Sequence, residues 1–150
     1  MEQSAFEKFE LGISEEIKGY LKETATWAYF LSILGFIGLG LMVLMGLFFG
    51  TILSSMPGGD PYSELGFSGG FVGIFYVIIA LIYFFPILYL FRFAKKMKDA
   101  LRGNDNVELT AAFSNLKSHY KFVGIFTIVI LSLYVLIFII AMLVGASSAF

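Results

Sequence analysis

Cysteine is absent from this chain, which excludes disulfides, thiolate metal sites and dithiol redox chemistry. Histidine occurs once, as His119, so no multi-histidine metal centre can form. Charge is also scarce: 14% of the residues are Asp, Glu, Lys or Arg, against about a quarter in soluble domains. The deficit is concentrated. No charged side chain falls within 24–59, 65–91 or 122–150, runs of 36, 27 and 29 residues.

Catalysis or ion-coupled transport at depth in a membrane needs ionisable groups there, and these runs hold none. Phosphate loops, dinucleotide fingerprints and nucleophile elbows are missing as well. No cofactor, bound metal or nucleic-acid partner is expected, and the chain reads as non-enzymatic. An interfacial lipid enzyme would have only His119 and Glu108 to work with. His119 lies between Lys117 and Lys121, where an exposed or interfacial polar side chain is the simpler expectation.

What is present is apolar length. A bilayer core about 30 Å thick is crossed by roughly 20 helical residues at about 1.5 Å each, so all three runs suffice. Backbone amides in lipid must pair within the protein, and continuous apolar runs satisfy that as helices; a barrel would alternate apolar and polar residues. The expected fold is all-α, an integral membrane protein with three transmembrane helices, an N-terminal amphipathic segment and a cytoplasmic helical hairpin extending the second and third helices. An acidic start (Glu2, Glu7, Glu10, Glu15, Glu16) and a long apolar core distinguish the first run from a cleaved signal, so it is expected to remain in the mature protein.

The organisation expected is one membrane domain over 1–150. It comprises a cytoplasmic arm and amphipathic helix at 1–26, a first span at 27–54 and an outer loop at 55–70. A second span at 71–91, the hairpin at 92–121, a third span at 122–145 and an outer tail at 146–150 follow. Three crossings place all ten basic residues on one side: Lys8, Lys18 and Lys22 before the first span, and Arg92, Lys95, Lys96, Lys98, Arg102, Lys117 and Lys121 between the second and third. The outer loop holds only Asp60 and Glu64, read as solvated loop charges. The positive-inside rule then makes the N-terminus cytoplasmic and the C-terminus periplasmic, in a bacterial inner membrane.

Local signals refine the helices. Phe6, Phe9, Leu11 and Ile13 sit among acids in an arm suited to the membrane surface. Ser14 before Glu15 and Glu16 marks a helix start, and Trp27 and Tyr29 fall where an interfacial aromatic belt belongs. Gly46 and Gly50 form a GxxxG pair that permits close approach by a helix of this chain or another. Pro86 removes a backbone donor inside the second span, which predicts a kink.

Beyond the second span, Leu90, Phe93, Ala94, Met97 and Leu101 keep one apolar stripe. Gly103 is placed to stop that helix, and Asp105 with Glu108 to open the next through a capping box. Leu109, Ala112, Phe113, Leu116 and Tyr120 supply the facing stripe of a helical hairpin.

Ser32, Tyr76, Tyr83, Thr127, Ser132 and Tyr134 are the deep polar groups, expected to hydrogen-bond across helices or to backbone near Pro86. The pentapeptide of Phe71 to Phe75 recurs at Phe122 to Phe126; an inverted repeat or shared apolar bias would each produce it.

Arg92, Lys95, Lys96, Lys98 and Arg102 are the candidate lipid- or partner-contacting residues, suited to anionic headgroups at the cytoplasmic face or to an acidic protein partner. Their number alone also serves the positive-inside rule. Gly46, Gly50 and Pro86 are the candidate helix-packing positions. Expected partners are the lipid bilayer and other membrane-protein subunits or copies of this chain. The leading functional expectation is an accessory or scaffold subunit of a larger inner-membrane assembly, with a homo-oligomeric pore or permease for small solutes or ions as the alternative.

Two stretches carry a resemblance. The segment from Tyr20 to Leu31 (YLKETATWAYFL) and that from Leu90 to Gly124, with FAKKMKDAL and NLKSHYKFVGI, resemble an uncharacterised group of small Bacteroidota-type inner-membrane proteins known as a domain of unknown function. They cover about a third of the chain and most of its expected cytoplasmic surface. The resemblance implies a Gram-negative inner membrane and brings no activity or binding residue with it.

Overall fold

The computed structural model of the protein describes residues 13–56 and 69–147. The arm residues Phe6, Phe9 and Leu11, the loop charges Asp60 and Glu64, and residues 148–150 lie outside that description. Three helices account for all regular structure among the described residues: α1 (Glu15–Ser54), α2 (Gly69–Gly103) and α3 (Asn106–Ser147). Each contains a stretch long and apolar enough to cross a membrane. At about 1.5 Å per residue, their 40, 35 and 42 residues exceed a bilayer core on every crossing. Length is therefore left over for a region outside the lipid.

The helix ends show how the chain begins and reverses. Ser14 Oγ accepts from the Ile17 N–H at 3.3 Å, and Glu15 and Glu16 occupy the first turn of α1, where the dipole favours them. Between α2 and α3 the chain turns within two residues. Gly103 closes α2 as its last helical residue, and Asn104 takes the left-handed conformation with φ of 49°. The Asp105 N–H then reaches back to the Ala100 carbonyl at 3.1 Å, a Schellman closure. Asparagine enters the left-handed region at lower cost than other residues with a side chain, which is why the reversal falls one position after the glycine. Replacing Asn104 with valine, whose branched Cβ clashes there, should lower stability by about 1–2 kcal/mol. Asn104→Gly should match the native chain or exceed it in thermal unfolding followed by circular dichroism.

Asp105 starts α3, its Oδ1 accepting from the Val107 and Glu108 amides at 2.7 and 3.3 Å. The reciprocal half of the expected capping box does not form. Glu108 turns to Lys96 on α2, Oε2 to Nζ 2.9 Å, because the Asp105 amide it would have bonded is already used by Ala100. With both side chains more than a third exposed, this ion pair contributes about 0.5 kcal/mol after solvent screening.

Packing is antiparallel and centred on α2, which contacts both other helices extensively. Along α1 and α2, Gly46 meets Gly73, Gly35 meets Ile87, and the Tyr29 ring lies 5.5 Å from that of Phe91. Along α2 and α3, Tyr83 meets Phe126 edge-on at 5.2 Å and Pro86 meets His119. These registers gather every charged side chain of the described residues at one end of the molecule. The N-terminal turns of α1, the C-terminal third of α2 and the N-terminal third of α3 build that end.

The buried core lies there too. Ala25 and Ala28 of α1, Phe93, Ala94 and Met97 of α2, and Ala112 of α3 form one cluster, flanked by Leu21, Leu90, Leu101, Leu109 and Leu116. Alanine at the contact positions lets three helices converge around two large side chains, Phe93 and Met97, both fully buried. The α2 stripe and Leu109, Ala112 and Leu116 of the α3 stripe are thus part of a three-helix core, completed by the early turns of α1, whereas Phe113 and Tyr120, expected on the same stripe, are exposed.

Away from this end, α3 stands apart. Every residue from Leu131 to Val144 is exposed, on all faces of the helix.

Candidate lipid- and partner-contacting site at the basic end

Because α2 ends where α1 begins, the cations of the two helices come together. Lys22 and Thr26, one turn apart on α1, face Lys98, Leu101 and Arg102, one turn of α2, across a pocket of about 430 Å³. Helical spacing explains the grouping: residues four apart share a face. Three of the five lining residues are cations, and no carboxylate lines the pocket. Lys98 is further oriented by Tyr29, whose ring centroid is 4.4 Å from Nζ, a cation–π contact that draws the ammonium toward the apolar part of the bundle.

The other candidate residues have different surroundings. Arg92 and Lys95 project from α2 and are exposed, whereas Lys96 points to α3 and Glu108. The five cations of 92–102 therefore do not act as one patch. Lys98 and Arg102 share a pocket with α1, Lys96 ties the two arms of the hairpin, and Arg92 and Lys95 remain on the surface. Lys22 and Thr26 were not among the sequence candidates; the signal available for them was their i, i+4 spacing with Tyr29 one turn further on.

The helix-packing positions form a second constellation toward the opposite end. Gly46 and Gly50 are buried, and Gly46 lies against Gly73 and Tyr76 of α2. A Cβ added at Gly46 would lie 2.9 Å from the Gly73 carbonyl oxygen and 2.9 Å from Tyr76 Cβ, closer than real contacts allow. The two backbones touch because neither residue carries a side chain. The two copies of the pentapeptide are not equivalent here: Gly73 sits in this crossing, whereas a Cβ at Gly124 would meet nothing within 4 Å.

Pro86 is buried, and α2 remains helical through it. Its carbonyl oxygen receives the His119 Nδ1 at 2.7 Å. A carbonyl only accepts, so Nδ1 carries the hydrogen and the ring is fixed against α2. His119 is half-buried in the α2–α3 seam, where the lone imidazole ties two helices. Beside it a cleft of about 190 Å³, lined by Tyr83, Pro86, Phe122 and Thr127 among others, separates the helices.

The hydroxyls at depth behave locally. Ser32, fully buried, donates to the Tyr29 carbonyl at 2.7 Å; Thr127 and Ser132 donate to Val123 and Ile128 at 2.8 Å. Each is satisfied one turn back on its own helix, the bond nearest to a hydroxyl in an apolar setting. His119, by contrast, makes its hydrogen bond across to a neighbouring helix.

The fold defines a class: an all-α protein whose three long helices are each apolar enough to span a membrane, with the charged side chains of the described residues and the main buried cluster at one end. The chain belongs to a family described as a family of unknown function (DUF5362), whose model matches residues 68–142, half of the chain. That stretch takes in α2 and most of α3 and leaves α1 outside. No curated protein and no solved structure matches the chain.

Proposed function

We propose that this protein is a non-enzymatic integral membrane subunit, an accessory or scaffold component of a larger assembly in a bacterial inner membrane. Its basic end, with the amphipathic first turns of α1 and the hairpin of 92–121, faces the cytoplasm and its C-terminus the periplasm. The orientation rests on the positive-inside rule and on all ten basic residues preceding the first span or following the second.

The observation that carries the subunit reading is the bare length of α3. Tyr134, Val135, Ile137 and Leu143, on different faces, are 67%, 58%, 61% and 66% exposed, so this spanning helix has room for neighbours all round. Helices in lipid associate through van der Waals packing, and an uncovered helix anchored by its other end is suited to that use.

Photo-crosslinking from Leu136 and Phe138 in native membranes, followed by mass determination of the complex in gentle detergent, tests this. The expected product is a heteromeric complex captured through α3. Lone monomers with no adduct would overturn the proposal. Adducts only at multiples of 16.7 kDa, together with solute flux in proteoliposomes, would favour the homo-oligomeric pore.

A further inference from the structure

The pocket between α1 and α2 has the composition of an anion site. We infer that Lys22, Lys98 and Arg102 together hold the phosphate of one anionic phospholipid, with its acyl chains descending along the apolar surface beside Trp27 and Phe30. The inference rests on the proposed placement of the basic end at an anionic leaflet, and deepens it from a charged surface to a defined site.

Three observations converge. First, the cations come from two helices and surround a concavity of about 430 Å³ rather than a convex face, so a single phosphate can contact all three. Charge-assisted hydrogen bonds from several donors to phosphate oxygens are stronger than neutral ones, and arginine offers a fork matched to two of those oxygens.

Second, the charges are available. Lys18 and Lys96 are engaged by Glu15 and Glu108 at 2.7 and 2.9 Å, whereas among the described residues no carboxylate forms an ion pair with Lys22, Lys98 or Arg102. A cluster of like charges is stable without acids when an anion from outside completes it.

Third, on α1 the pocket lies at the boundary of the apolar run. Lys22 is the last basic residue before the charge-free stretch of α1, and Trp27 and Tyr29 mark an interfacial level. Tyr29 bridges the two zones, its ring tilted against Phe91 on one side and holding Lys98 on the other. Trp27 and Phe30 form an exposed edge-to-face pair at 6.0 Å, on which acyl chains can lie. A soluble anion would gain nothing from that surface.

The chain has one tryptophan, Trp27, next to Thr26 of the pocket, which provides the probe. The full-length protein is placed in phosphatidylcholine nanodiscs and titrated with headgroup-proximal doxyl-labelled phosphatidylglycerol, reading quenching of Trp27. In about 0.5 M salt the screening length falls to a few ångström, so diffuse attraction is suppressed and direct contacts persist. The native chain should still prefer phosphatidylglycerol, and the Lys22→Gln, Lys98→Gln, Arg102→Gln variant should lose on the order of 10-fold or more in association. A variant with Lys18→Gln, Lys117→Gln and Lys121→Gln, an equal change in charge, should stay within about 2-fold of native.

Arg102→Gln alone, exposed and harmless to the core, should show a partial loss, which separates binding from misfolding of the triple variant. Equal losses in the two triple variants would overturn the pocket while leaving the leaflet placement standing. Absence of any preference for phosphatidylglycerol in the native chain, even at low salt, would overturn both. Displacement of the labelled lipid by millimolar inorganic phosphate would overturn the lipid in favour of a free anion.

Discussion

Replacing Gly46 with leucine should separate α1 from α2 over their outer halves and cost about 3 kcal/mol, the upper part of the range for overpacking a close contact. The atoms that a side chain would strike are the Gly73 carbonyl oxygen and Tyr76 Cβ, each 2.9 Å from the position of a Cβ. Neither is the free end of a flexible chain, so the backbones themselves must move apart. In lipid that loss is not offset by burial elsewhere, because the acyl chains are as apolar as the helix surface and association depends on close packing.

The same crossing gives a sharp control. A Cβ at Gly38 or Gly40 meets nothing within 4 Å, and a glycine within a helix costs about 1 kcal/mol relative to alanine. Gly40→Ala should therefore raise the unfolding midpoint in mixed micelles while Gly46→Ala lowers it. Equal shifts of the two variants would show that the crossing does not hold the helices together. Gly35 should fall between, since its neighbour is the Ile87 side chain, which can rotate away.

Phe93→Ala should destabilise the basic end by about 3–5 kcal/mol, the range for emptying a fully buried aromatic position. Phe93 is 1% exposed and shares its cluster with Ala25, Ala28, Ala94 and Ala112, too small to collapse into the space it leaves, and with one larger neighbour, Met97. Three helices contribute to this core, so the loss should appear in all of them. We expect faster hydrogen exchange in the first turns of α1 as well as on both arms of the hairpin. Phe113, on α3 and 45% exposed, provides the comparison: its replacement by alanine should stay within about 0.5 kcal/mol. If exchange quickened only within α2 and α3, α1 would not belong to the core.

These two predictions lie at opposite ends of the same helix pair and differed in how far they could be read from residues. The glycine crossing was half legible. Gly46 and Gly50 announce by spacing that something can approach, but Gly73, which does approach, stands in a run where glycine is common. Phe93 and Met97 were visible as a stripe on α2, and Leu109, Ala112 and Leu116 as part of its counterpart, whose other two members, Phe113 and Tyr120, are exposed. Leu21, Ala25 and Ala28 carried the same 3.6-residue period, but nothing local told that face from one lying flat on a membrane.

Side-chain pairing was the least legible level. Glu108 sits three residues after Asp105, as a capping box requires, and yet turns to Lys96, because the Schellman closure had taken the amide it needed. His119, flanked by two lysines, looked like a surface group and instead donates to Pro86 across the seam. Both outcomes depend on which helix lies opposite, a contact between residues distant in the chain.

The sequence alone determined what depends on the solvent of each segment. The three charge-free runs dictate helices long enough for a bilayer, because an unpaired amide cannot be left in lipid, and every Lys and Arg falls before the first run or between the second and third. Ser14 and Asp105 likewise mark their helix starts by chemistry that acts within a turn. Only the tertiary structure decided that α2 is the central helix, that α1 joins the hairpin core, that Lys22 meets Lys98 and Arg102 around one pocket, and that α3 is left uncovered. Those are questions of which faces meet. In helices apolar all round no periodic stripe selects a face, so the choice falls to shape: where glycine and alanine let backbones close, and where Phe93 and Met97 find space.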